Sequence, residues 1–80
     1  MNLEIITPDK KVFTGEAVAV TLPGTEGQFQ ILNSHAPLVS TLGKGEVVID
    51  TGAGKQTVTV GGGVVEVLNN KILVLAEAVL

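Results

Sequence analysis

The chain contains no cysteine, no tryptophan and no tyrosine, and Phe13 and Phe29 are its only aromatic residues. Without cysteine there is neither a disulfide framework nor a thiolate metal site, and a reducing compartment fits. One histidine, His35, with only scattered carboxylates around it in sequence, does not make a metal-ligand set. Arginine is missing as well. The five basic residues are Lys10, Lys11, Lys44, Lys55 and Lys71, spread along a chain of net charge −3. Phosphate recognition calls for clustered cations, usually with arginine forks, so nucleic acid is excluded as a partner. Met1-Asn2-Leu3-Glu4 has no basic region of the signal-peptide kind, and Glu77 interrupts the longest apolar run well short of the ~20 residues of a membrane span. A soluble, cytoplasmic protein is the expectation.

Catalytic groups are equally sparse. Ser34 and His35 are neighbours in sequence, with Asp9 or Asp50 as conceivable orienting acids. A nucleophile and its base must face each other, which adjacent residues rarely achieve, and no nucleophile elbow is present. The expectation is a chain without enzymatic activity, cofactor or metal. Gly61-Gly62-Gly63 does not open a helix as phosphate cradles do, and reads instead as a tight turn or as a place where backbone approaches a neighbour.

What the chain does have is apolar residues, 45% of eighty. So small a body buries only roughly 60–65% of its unfolded surface. Either a partner covers one face, or a compact domain tolerates small Ala and Val residues outside. The apolar residues fall into short period-two runs, with turn signals every six to ten residues or so. Leu3–Thr7, Lys10–Phe13, Glu16–Leu22, Gln28–Ile31, Leu38–Leu42, Glu46–Thr51, Lys55–Val60, Val64–Leu68 and Ile72–Ala76 read as strands. This cadence predicts a single all-β domain over residues 1–80, an antiparallel β-sandwich of about ten short strands in two sheets. Val18, Val20 and Leu22 are expected on one face of their strand, against Ala17, Ala19 and Thr21 on the other. Asn69-Asn70 is a two-residue turn candidate. Ile72–Ala76 is apolar on both faces, hence central.

The longest break in this patterning is Leu22–Val39. Pro23-Gly24 carries turn chemistry, Thr25-Glu26-Gly27 a polar tip, and Asn33-Ser34 a second turn. Phe29 and Ile31 are expected inside, Gln28 and Gln30 outside. Two turns around one short strand suggest that Glu26, Gln28 and His35 gather at one end. His35 is either a hydrogen-bonded structural residue or part of a recognition tip.

Phe13-Thr14-Gly15-Glu16, Leu22 to Phe29, His35-Ala36-Pro37-Leu38, Gly62 to Val67 and Val74-Leu75-Ala76-Glu77 resemble, in order and spacing, the epsilon subunit of bacterial F-type ATP synthases. The resemblance implies two five-stranded sheets and a non-catalytic place in the rotor. There the domain would pack on the gamma subunit and rest on the polar loops of the c-ring, coupling proton translocation to ATP synthesis at the cytoplasmic face of the inner membrane. Carried over, Glu26, Gly27, Gln28 and His35 match the tip facing the c-ring, and Pro37, Leu38 and Val39 the gamma side. Gln28, Gln30 and Asn33-Ser34 depart from residues usual in the family. The family's C-terminal helical pair lies outside these eighty residues, which are therefore expected to bind no ATP. The competing expectation is a small β-sandwich module whose cleft holds a ligand, for which aromatic lining is scarce.

Overall fold

The computed structural model describes residues 1–80 and is built of strands alone. These are β1 (Asn2–Ile6), β2 (Lys11–Glu16), β3 (Ala19–Gly24), β4 (Gly27–Leu32), β5 (Leu38–Asp50), β6 (Lys55–Leu68) and β7 (Lys71–Ala76). They form one hydrogen-bonded sheet in the order β2-β1-β7-β6-β5-β3-β4. All neighbours are antiparallel except β1 and β7, which pair in parallel from Asn2↔Lys71 to Ile6↔Leu75.

Two strands make this one sheet into a sandwich. Straight, the fourteen residues of β6 would span about 43 Å at a ~3.3 Å rise, yet the longest axis of the molecule is 26 Å. β5 and β6 therefore bend together. Their register is unbroken from Leu38↔Val67 through Leu42↔Gly63 and Lys44↔Gly61 to Asp50↔Lys55. The bend falls among Gly43, Gly45 and Gly61–Gly63. Before it, the starts of β5 and the ends of β6 lie beside β7, β1 and β2; after it, their other halves lie beside β3 and β4. The glycines expected to be turns thus lie inside strands, and halves of β5 and β6 each served as separate strands in the sequence reading. Seven strands in one folded sheet replace about ten in two. The sandwich remains, because each long strand contributes to both layers.

The close-approach reading of Gly61–Gly63 is the one the structure supports. Gly62 and Gly63 have φ of 123° and 152°, and a Cβ on Gly63 would collide with the carbonyl oxygen of Leu75. Only glycine fits there. Beyond β7 the chain returns to the same corner. Glu77 N–H donates to Gly62 O (3.0 Å), Gly61 N–H to Ala78 O (2.9 Å) and Leu80 N–H to Thr59 O (2.9 Å), so that residues 78–80 cover the free side of β6 at Thr59–Gly61.

Sixteen apolar side chains fill the space between the layers, among them Leu3, Ile5, Val20, Leu22, Ile31, Val47, Ile49, Val65 and Val74, all with no exposure. They alternate along each strand as the period of two demands. β7 is central, as expected, with Ile72, Val74 and Ala76 inside; its other face, Leu73 and Leu75, is only partly covered. Two local expectations fail. Ala17 is buried and Val18 exposed, because residues 17–18 cross between layers: Ala17 N–H donates to Met1 O and Val18 N–H to Asp50 O, both at 2.8 Å. The crossing resets the alternation, which holds from Ala19 onward. Pro23-Gly24 is not a turn but the end of β3, opposite Gln28 and Gly27. The reversal itself is Thr25-Glu26, closed by Gly27 at φ 129°. Proline donates no hydrogen bond, and the β3–β5 register slips between Thr21 and Gly24, where Pro23 sits.

Candidate functional site

Folding one sheet about a glycine corner gives the molecule two ends. At the corner end, Gly24 pairs with Leu42 and Thr25 N–H donates to Thr41 O at 3.2 Å. The Thr25 and Thr41 hydroxyls lie 2.8 Å apart. These bonds fix the β3–β4 tip, and Glu26, Gly27 and Gln28 are exposed on it. At the opposite end lie the Asn33-Ser34 and Asn69-Asn70 turns. Ser34, Asn69 and Asn70 take φ of 62°, 52° and 61°, as a two-residue hairpin turn requires of the asparagines. Ser34 N–H donates to Asn70 Oδ1 at 2.9 Å, joining the turns.

His35 belongs to this second end. Its N–H donates to Leu32 O at 3.2 Å, and its Nδ1–H to Ala36 O at 2.7 Å. The whole of β4 separates it from Glu26. From Gln28 to Leu32 alone the strand rises about 13 Å. The structure thus brings Glu26, Gly27 and Gln28 together and places His35 elsewhere. The gathering expected from two turns and a short strand fails because that strand keeps its ends apart.

Pro37 precedes β5, which Leu38 and Val39 open. Pro37 is exposed, Leu38 packs against the core, and Val39, at 72% exposure, stands on the outer face. Sequence reasoning missed the rest of that face. The register lays Thr41, Val64, Leu75 and Ile6 in one row across the sheet, and Val39, Glu66, Leu73 and Glu4 in the next. Leu68, 57% exposed, continues it along β6. The outer face of the other layer is more polar: Thr21, Gln28, Gln30, Glu46, Thr57 and Thr59 lie there, beside Ala19, Val48 and the exposed Leu32. The signal was present in sequence: Ile72–Ala76 is apolar on both faces, and so is Val64–Leu68 but for Glu66, which a layer covered on one side does not need.

No group of three or more His, Asp or Glu side chains converges as a metal site, and the surface hollows are open, each lined by four to six residues. No helix is long and apolar enough to cross a membrane. Fold and surfaces together define a β-sandwich module, more apolar on one outer face than on the other. Residues 1–80 match throughout the family described as the β-sandwich domain of the delta/epsilon chain of ATP synthase, and the chain belongs to that family. It is 40% identical over 77 residues to the ATP synthase epsilon chain of Leptospira borgpetersenii, covering 96% of this chain and 61% of that one. It is 45% identical over 75 residues to that of Maridesulfovibrio salexigens, covering 94% and 53%. With Gloeothece citriformis the figures are 45% over 77 residues, 96% and 56%. The chain thus spans between 53% and 61% of these relatives. In solved structures it superposes on a chain of the Euglena gracilis mitochondrial ATP synthase, OSCP/F1/c-ring, with a TM-score of 0.89, 21% identity and coverage of 98% and 51%. A chain of the central stalk and c-ring of the Tetrahymena thermophila mitochondrial ATP synthase gives 0.82, 20%, 99% and 64%. At that identity these two bear on the fold.

Proposed function

We propose that this domain is a non-catalytic rotor element of an F-type ATP synthase. It packs its apolar outer face on the gamma subunit and turns its Glu26 end to the c-ring, so that ring rotation driven by protons reaches the catalytic head. Such a complex would hold it peripherally at the cytoplasmic face of the bacterial inner membrane. The observation that carries this reading is the contrast of outer faces in a chain matched to the epsilon family along its whole length. A torque-bearing part needs a stiff body, supplied by continuous strands through both layers, and a broad apolar contact, supplied by Val39, Val64, Leu68, Leu73 and Leu75. Large obligate interfaces are apolar in this way. The three-residue tip Glu26-Gly27-Gln28 suits polar loops. His35, at the other end, is not part of the ring contact in this arrangement.

Charge placed on each outer face in turn tests the reading. Leu75→Asp removes capture of gamma from a co-expressed complex, whereas Thr57→Asp, on the polar face, keeps it. Both variants retain β-type circular dichroism, since each position is solvent-accessible in the free chain. Equal capture of gamma by the two would overturn the assignment of faces.

A further inference from the structure

A sheet folded on itself has several open edges, and they are not equally protected. β2 bears Lys11 and pairs with β1 through a bulge between Ile5 and Ile6, both ordinary guards against strand addition. β6 is covered by residues 78–80 at Thr59–Gly61, and its open start bears Lys55. β5 is different. β3 pairs with it only from Leu42 onward, so Leu38–Thr41 has β6 on one side and no strand on the other. Thr41 O points to this free side, where Thr25 N–H meets it. Because backbone groups alternate along an antiparallel strand, the N–H and C=O of Val39 point the same way, with no strand to receive them.

The side chains around this edge are also unmatched. Pro37, Leu38, Val39, Glu66, Val67 and Leu68 line an open hollow of about 310 Å³. Val39 and Glu66 are directly opposite in register. Of the two carboxylates in this row, Glu4 has Lys11 Nζ at 2.9 Å, whereas Glu66 is exposed and has no cation within ion-pair distance. Apolar walls beside a lone carboxylate suit the stem and charge of a lysine or arginine.

We propose that the free edge of β5 at Val39 receives an extended segment of the partner, which adds as a further strand and sets a basic side chain on Glu66 between Val39 and Leu68. This deepens the rotor reading and rests on it: the segment is then part of gamma. Main-chain bonds to Val39 give the added strand its register, and the basic residue adds selectivity.

The experiment titrates purified gamma with the full chain and two variants. Val39→Pro keeps a φ that a strand accepts and removes an N–H that no strand uses, so the free chain stays folded. It should weaken binding up to about tenfold, the loss of one hydrogen bond. Glu66→Gln should weaken it about threefold at low salt, and that difference should vanish near ~1 M salt. The Val39 amide should exchange rapidly in the free chain and slowly in the complex. Tight binding of gamma with neither variant impaired and Val39 still exchanging freely would overturn the strand addition while leaving the rotor reading intact. If Val39→Pro fails to fold, amide exchange and the salt dependence at Glu66 decide. No saturable binding by the unaltered chain would remove both. A dimer of the free chain that Val39→Pro dissociates would assign the edge to a second copy and overturn the assignment to gamma.

Discussion

The glycine corner and the turns at the opposite end redirect the chain by different physical means, although the corner end also holds two turns with side-chain bonds, Thr7–Lys10 and Thr25-Glu26. At the corner end β5 and β6 turn through the bend without leaving the strand, and the device is backbone: Gly62 and Gly63 at positive φ, with Gly63 against Leu75. At the opposite end the chain leaves its strands in short turns held by side chains. Ser34 N–H donates to Asn70 Oδ1, Gly52 N–H to Asp50 Oδ1 at 2.9 Å, and Thr51 Oγ1–H to Gly54 O at 3.1 Å. Backbone close approach is all or nothing, since a Cβ either fits or does not. Side-chain bonds are graded, each a net contribution of about 1 kcal/mol. The glycine corner should therefore be brittle and the side-chain turns tolerant.

The sharpest way to break that contrast is Gly63→Ala. The added methyl meets the Leu75 carbonyl and the Ala76 backbone, which the strand pairing holds in place, and φ of 152° disfavours it further. A cost of about 3 kcal/mol or more is expected, from overpacking and backbone strain together. Chemical denaturation should show a large fall in midpoint, or no folded protein. A loss below about 1 kcal/mol would show that the corner can relax, and the two ends would then not differ in kind.

A smaller effect is expected at the other end. Asn70→Ala removes the acceptor of Ser34 N–H, which is exposed and can turn to water, and places alanine at φ 61°. The sum should be about 1–2 kcal/mol. Asn70→Gly separates the two causes, since glycine takes that φ freely and loses only the hydrogen bond. It should cost less than Asn70→Ala, by thermal unfolding of both. Equal losses would leave the backbone conformation without energetic weight at this turn.

The same contrast explains what could be seen in the sequence. Turns that rest on residue preference were legible: Asn69-Asn70 and Asn33-Ser34 both reverse the chain where side chains tolerant of left-handed φ occur. So were the strands and the core, because alternation at Leu3-Ile5, Val47-Ile49 and Ile72-Val74 is local. The corner was not legible. Gly43, Gly45 and Gly61–Gly63 have the composition of turns, and only the neighbouring strands, distant in sequence, keep them extended. Ala17-Val18 misled for the same reason, since a crossing between layers is a tertiary event. The parallel partnership of β1 and β7 joins the two extremes of the chain and leaves no local mark. The Glu26 tip was legible as a tip, whereas the position of His35 depended on how far β4 runs.

The finest distinction between the ends is functional, and its energies are the smallest. In the proposed arrangement a ring of loops meets one end of a body about 26 Å long, and Glu26 and His35 lie beyond opposite ends of β4. Cysteine at position 26 or 28 should therefore cross-link to the polar loop of the c subunit in membranes, and cysteine at position 35 should not. Glu26→Ala should loosen coupling without preventing assembly, because an exposed polar contact contributes within about 1 kcal/mol. Proton-pumping assays in vesicles would read that as a partial loss of coupling at unchanged subunit content. Cross-linking from position 35 to the same loop, with none from 26 or 28, would reverse the orientation and put the turn end on the ring. Cross-linking from both ends would mean that the ring grips the long side of β4, and the end-on placement would fall.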